Sequence, residues 1–144
     1  MVSRSRRTLV SNFRKISDWQ FPNPEDYYNC YCFTTYSTRL QDKLFWMDGD
    51  VMIKILQEKT SQVDDYRIGD IVCLHREWNY GIVRNFPYGF WDNRSRLEHA
   101  MVCVGGDRYL HKPGGSHPEY CSMDRVSKLY PSSKIMTYHR PKGE

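Results

Sequence analysis

Hydrophobic residues recur at helical spacing in the first third of the chain. Leu9 to Ile16 predicts a short amphipathic helix within residues 1–18, and a second helix is predicted from Cys30 onward. The apolar face of that second helix follows steps of three and four: Cys30, Phe33, Ser37, Leu40 and Leu44. Asn29 stands directly before it, with a side chain suited to cap a helix N-terminus. The apolar run from Asp50 to Leu56 fits either a helix or a strand.

The pattern changes to short strands from Ile68 onward. Runs at 68–74, 80–84, 97–104 and 108–111 are β-branched or aromatic and are separated by turn-forming residues. Gly105-Gly106-Asp107 predicts a hairpin turn, because glycine accepts positive φ. A short helix near 123–129 and a last strand at 134–138 follow. Helices followed by an antiparallel meander predict an α+β fold.

Length and composition limit the class of protein. The chain has 144 residues, of which 40% are hydrophobic and 26% charged, so we expect one folded domain with a single core over 1–144. No apolar run approaches the roughly 20 residues of a membrane span, and no apolar segment of a signal peptide follows the basic start. We therefore expect a protein that is cytoplasmic as synthesised, or exported without a signal peptide.

Positive charge is concentrated at the N-terminus. The formal net charge is +4, yet residues 1–15 alone carry +5, so the remainder is nearly neutral. A basic arm of this kind can contact nucleic acid or anionic lipid. A solvated tail or an exposed basic helix face is the interpretation we favour, and nucleic acid is not the expected partner.

The cysteines do not form a recognisable framework. Their number is five, so at least one is unpaired, and no C-x-x-C pair supports a zinc ribbon or a thioredoxin-like motif. His111, His117 and Cys121 also fail to match a familiar zinc spacing, so no metal and no cofactor is predicted.

Cys30, His99 and His111 carry the chemistry that this sequence suggests. A cysteine at a helix N-terminus has a stabilised thiolate, and an imidazole beside it can move the proton. A second polar side chain must then hold that imidazole in the useful tautomer. The turn at Gly105-Gly106 should bring His99 and His111 together on neighbouring strands. Cys32 is the second candidate nucleophile, but it is rotated by about 200° around the helix from Cys30, so only one of the two can face the sheet.

The order of these motifs resembles the NlpC-type cell-wall peptidases, a branch of the papain-like cysteine peptidases. The family has Asp-Cys-Ser-Gly-Phe at a helix start, a Gly-Asp-Leu-Val-Phe-Phe strand, and His-Val-Gly-Ile-Tyr-Val-Gly with a polar residue twelve positions after its His. This chain has Asn-Cys-Tyr-Cys-Phe at 29–33, Gly-Asp-Ile-Val-Cys-Leu at 69–74 and His-Ala-Met-Val-Cys-Val-Gly at 99–105. His111 lies twelve positions after His99. The resemblance covers about residues 28–113 and departs from the motif at Asn29, Tyr31 and Cys32.

The resemblance implies a helical layer packed on a central antiparallel sheet, with Cys30 as nucleophile, His99 as base and His111 as its orienter. Tyr27 and Tyr28 are candidates for the family's oxyanion-side tyrosine. Related acyltransferases are permuted, with the cysteine after the histidine pair; here it comes before, which favours the hydrolase branch. The implied layout is a basic arm at 1–18, a catalytic core at 28–113 and a C-terminal helix and strand at 114–144.

The expected activity is hydrolysis of an amide bond through a thioester acyl-enzyme, with no cofactor. The resemblance implies peptidoglycan stem peptides as substrate, in an effector toxin or a phage lysin, with an immunity or inhibitor protein as a possible partner. Tyr28 and Trp91 are the predicted substrate-binding residues; the loop at 84–96 that holds Trp91 could instead be a satellite hydrophobic cluster. A deamidase or acyltransferase on the same thiol, and a non-enzymatic domain binding nucleic acid or protein, are the alternatives.

Overall fold

The chain folds into an antiparallel sheet with helices on both faces. The computed structural model describes residues 28–76, 96–113 and 116–143, and within them the fold is α+β, as predicted, with six strands and three helices. In chain order these are α1 (Cys30–Ser37), α2 (Gly49–Lys59), β1 (Thr60–Val63), β2 (Ile71–Arg76), β3 (Arg96–Gly105), β4 (Arg108–His111), β5 (Glu119–Cys121), α3 (Met123–Leu129) and β6 (Ser133–Pro141). None of the helices in these ranges is long and apolar enough to cross a membrane.

The strands lie in the order β1-β6-β2-β3-β4-β5, and every neighbouring pair is antiparallel. Strands β2 to β5 form a meander, and β6 returns to lie between β1 and β2. In the β2–β3 pair, Cys73 is opposite Ala100 and Leu74 is opposite His99. Directly opposite residues share a face of the sheet, so this register decides which side each functional residue occupies.

Two cores sit on the two faces. On one face, which we call the α1 face, helices α1 and α2 pack with Ile71, Cys73, Ala100, Val102 and Leu110. On the other, the α3 face, helix α3 packs with Val72, Leu74, Met101, Cys103, Tyr109 and Cys121. Successive residues of a strand alternate between these two cores, because side chains along a strand point to opposite faces.

Helix α1 begins as the sequence predicts and ends earlier than its pattern suggests. The Asn29 side-chain oxygen accepts from the Cys32 amide at 3.2 Å, which confirms the predicted cap. The helix stops at Ser37, so Leu40 lies beyond it, and so does Leu44; the prediction that they continue the helix face is wrong. Hydroxyls near the end compete for helix carbonyls: Thr38 Oγ1 donates to the Thr34 carbonyl at 2.8 Å, and Arg39 then adopts a φ of 63°.

Other element predictions are settled by the same coordinates. The ambiguous run at 50–56 is helical, within α2, and the helix at 123–129 has the predicted bounds. The turn between β3 and β4 is confirmed, with φ of 138° at Gly105 and 53° at Gly106. Strands β1 and β5 were not predicted. The predicted helix in 1–18, the strand at 80–84 and residues 84–95 of the predicted loop lie outside the described residues, and Arg96, the last residue of that loop, begins β3.

Candidate active site

The two predicted histidines meet on the α3 face. His99 Nε2 lies 2.8 Å from His111 Nδ1, and the rings are edge to face with centroids 5.0 Å apart. His99 also stacks on Tyr130, at the end of α3, with a centroid distance of 4.2 Å. Both histidines are fully buried. The prediction that the hairpin brings these two side chains together is confirmed.

Burial keeps this pair neutral. It holds the pKa of His99 well below its ordinary value, and the neighbouring His111 lowers it further. Burial likewise lowers the pKa of His111. With two neutral rings, the shared bond uses one N–H and one lone pair. Within the described residues His99 Nδ1 has no hydrogen-bond partner, so this nitrogen is available for a further proton transfer.

The sulfur of Cys30 lies at the N-terminus of α1 and touches strand β3. Backbone amides of Cys30, Tyr31 and Ala100 interact with the sulfur and favour its anion. Burial is the larger effect and raises the pKa of Cys30 to about 11, so the group is a thiol at rest. As predicted, Cys30 is the cysteine of α1 that faces the sheet.

Cys30 and His99 approach the same stretch of β3 without being bonded to each other. Ala100 directly follows His99, so its side chain lies on the α1 face while the imidazole leaves the strand on the α3 face. In the part of the chain that is described, no hydrogen bond joins the Cys30 sulfur to either ring. The structure therefore brings the two histidines together. It places the Cys30 thiol against Ala100, the residue that follows His99 on β3.

Lys112 is a candidate functional residue that the sequence analysis missed. Its side chain is fully buried, and Nζ lies 4.9 Å from the centroid of the Tyr28 ring. Its positive charge lowers the pKa of Cys30 and of Cys32, against the larger effect of burial. The one feature of the sequence that could have indicated Lys112 is its position directly after His111. Strand alternation places Lys112 on the α1 face, where the Cys30 thiol lies.

Cys32 is turned away from the sheet into the segment that follows α1. Its sulfur donates to the Lys43 carbonyl at 3.4 Å and accepts from the Phe45 amide at 3.3 Å. These bonds give Cys32 a structural role in closing that segment. All five cysteines of the chain are free thiols.

The two predicted substrate-binding residues stay predictions. Tyr28 is fully buried and stacks on Phe33 at 6.5 Å between centroids, so among the described residues it supports the start of α1. Trp91 lies outside the described residues.

A carboxylate lies behind the histidine pair. Glu119 Oε2 is 3.4 Å from His111 Nε2, and Arg125 donates to both oxygens of Glu119 at 3.2 and 3.3 Å. Cys121 is next to it on β5, and burial, with the charge of Glu119, raises the pKa of this thiol to about 11. His117 is exposed and lies outside this cluster.

Comparisons of the chain with protein-family models, with curated proteins and with solved structures found no match. Functional statements about this protein therefore depend on its own residues.

Proposed function

We propose that the protein is a cysteine hydrolase of papain-like, NlpC-type architecture, with Cys30 as nucleophile and His99 and His111 as base and orienter. The observation that carries the proposal is the buried His99–His111 bond, which leaves His99 Nδ1 unused beside the strand residue that contacts the thiol. An unused buried nitrogen costs stability, and the proposed reaction gives this one a role.

The reaction follows from the positions of these groups. His99 Nδ1 takes the proton of the Cys30 thiol while Nε2–H donates to His111 Nδ1. The sulfur attacks the amide carbonyl, and backbone amides at the start of α1 stabilise the oxyanion. His99 returns the proton to the leaving amine, which gives a thioester and a free amine. Water then attacks the thioester with His99 again as base, releasing a carboxylic acid and restoring the thiol.

The thiolate is produced only when the imidazole reaches it. The Cys30 sulfur is buried at the start of α1, against the Ala100 amide of β3, whereas the His99 imidazole lies on the other face of that strand. The proposed reaction therefore requires the His99 ring to leave its stacked position on Tyr130 and approach the Cys30 sulfur. Lys112 favours the resulting anion by its charge.

The substrate class is taken from the resemblance. Peptide amides of the bacterial cell wall are the proposed substrate, in an effector toxin or a phage lysin whose partner is an immunity or inhibitor protein. Deamidation or acyl transfer would use the same thioester with a different acceptor.

Two measurements test the proposal. Alkylation at neutral pH, where the Cys30 thiol needs a base to ionise, followed by mass spectrometry should label Cys30 faster than the other cysteines, and His99→Gln should slow that labelling. Purified sacculi should release fragments with the wild-type protein and with Cys32→Ala, whereas Cys30→Ala should be inactive, a loss of about a thousandfold or more. Equal labelling in wild type and His99→Gln, or retained cleavage in Cys30→Ala, would refute it. Steep salt dependence of nucleic-acid binding, unchanged in Cys30→Ala, would favour the non-enzymatic alternative.

A further inference from the structure

We propose that His111, Glu119 and Cys121 form a binding site for a divalent transition-metal ion of the zinc type. We further infer that metal bound there switches off the His99–His111 pair; this second part rests on the proposed function, whereas the site itself does not.

The strand register builds the site. In the β4–β5 pair, His111 is opposite Glu119 and Tyr109 is opposite Cys121, so all three side chains lie together on the α3 face. One ligand atom from each, a ring nitrogen, a carboxylate oxygen and the sulfur, lie within 4.8 Å of one another. Zinc bonds of about 2.0–2.3 Å place tetrahedral ligands roughly 3.5 Å apart, so small side-chain rotations close the set.

The three ligand side chains match the preferences of zinc, and the ion can reach them from solvent. Imidazole, carboxylate and thiolate are the three side-chain types that bind zinc, and three protein ligands leave a fourth position open. His111 is fully buried, and its Nε2 faces Glu119 Oε2 at 3.4 Å but has no hydrogen bond of good geometry among the described residues. The Glu119 side chain is 30% exposed, which provides access from solvent.

Arg125 is the competitor for this site. Its guanidinium occupies both oxygens of Glu119, but its side chain is 53% exposed and can move into solvent. A cation already paired with the ligand carboxylate weakens metal binding. Removing the Arg125 charge should therefore tighten it, which is opposite to what the loss of a merely structural ion pair would do.

Metal binding has a defined effect on the histidine pair. An ion on His111 Nε2 fixes the proton of that ring on Nδ1, which then donates to His99 Nε2 across the 2.8 Å bond. His99 must accept at Nε2 and keep its own proton on Nδ1. In that tautomer Nδ1 cannot take a proton from the Cys30 thiol.

Titration of the 144-residue protein with Co²⁺, followed by thiolate-to-cobalt charge-transfer absorption, tests the site directly. The band should appear in wild type, disappear in Cys121→Ser, and require about tenfold more metal in Glu119→Gln. It should persist in His117→Ala and in Cys30→Ala, and Arg125→Gln should need less metal than wild type. Zn²⁺ should displace the cobalt. Thermal melts of each variant by circular dichroism verify that it is folded.

The coupling is tested by the rate of Cys30 alkylation with and without Zn²⁺. The ion should slow labelling in wild type and leave the rate unchanged in Cys121→Ser. A cobalt band that is absent from wild type, or unchanged in folded Cys121→Ser, overturns the site. A band with no effect of Zn²⁺ on alkylation overturns the coupling alone. If His99→Gln does not slow the alkylation of Cys30, the proposed function is refuted, and the cobalt band still decides whether the metal site exists.

Discussion

Asn29 connects the start of α1 to a segment eighteen residues away, so its replacement tests how that segment holds the helix start at Cys30. Its side-chain oxygen accepts from the amides of Cys32 at 3.2 Å and Met47 at 3.4 Å, and its amide group donates to the Met47 carbonyl at 2.7 Å. The residue is 8% exposed, so water cannot replace these bonds.

The expected loss follows from these three bonds. Removing a helix cap costs about 1 kcal/mol, and leaving a buried carbonyl unpaired costs about 1–3 kcal/mol. Asn29→Ala should therefore lower the free energy of unfolding by about 2–4 kcal/mol. Asn29→Asp keeps both acceptor bonds and loses only the donation to Met47, so it should lose about half as much.

Urea unfolding followed by circular dichroism measures both values. Ser122→Ala is the matched control, because Ser122 caps α3 at the surface with one bond to the Arg125 amide at 3.4 Å, and should cost about 1 kcal/mol or less. Cys30 alkylation measured in parallel should speed up in Asn29→Ala, as the start of α1 loosens. A loss no larger than that of Ser122→Ala would show that the buried bonds to Met47 contribute nothing, and the reasoning would fail.

Two further predictions concern stability. Burial lowers the pKa of His75 to about 4, so the free energy of unfolding has its full value above the unfolded-state pKa near 6.5 and falls as the pH drops toward 4, by about 2 kcal/mol at pH 5. His75→Gln can keep the bond to Thr137 Oγ1, and it should make the free energy of unfolding less dependent on pH. Urea unfolding at pH 7.5 and 5.0 measures this dependence, and an unchanged dependence in His75→Gln would contradict the prediction. Asp70 is buried and accepts hydrogen bonds from Arg140 at 2.8 and 3.0 Å. Asp70→Asn should therefore lower the free energy of unfolding by about 3 kcal/mol. A double-mutant cycle with Arg140→Gln that shows no coupling energy would refute a stabilising role of this ion pair.

The features predicted correctly from sequence depend on local signals. Asn29 caps a helix because of its own short side chain, and Gly105-Gly106 turns the chain because glycine accepts positive φ. The contact between His99 and His111 follows from that turn, because a tight hairpin fixes the register of its two strands. Twelve positions apart in the sequence, they become neighbours as a direct result.

The features missed depend on contacts between distant segments. Strand β5 has only three residues, too few for a periodic pattern, and it exists because β4 offers it an edge. Glu119 therefore carried no signal as a partner of His111, and Cys121 was grouped with His111 only in a set, with His117, that matches no familiar zinc spacing. The early end of α1 has a comparable cause. Leu40 and Leu44 continue the helical spacing in the sequence, but the hydroxyl of Thr38 bonds to a helix carbonyl and the helix ends at Ser37.

Strand alternation at the end of β4 places neighbouring residues of one short hairpin on opposite faces of the sheet. His111 ends β4 on the α3 face, and Lys112, the next residue, goes to the α1 face beside the thiol. Because β4 stops there, no residue of β4 lies opposite Ala100, and the Ala100 amide interacts with the Cys30 sulfur. The Cys30 thiol and the histidine pair therefore lie on opposite faces of the same stretch of β3, with Ala100 and His99 as the adjacent strand residues that each of them contacts or belongs to.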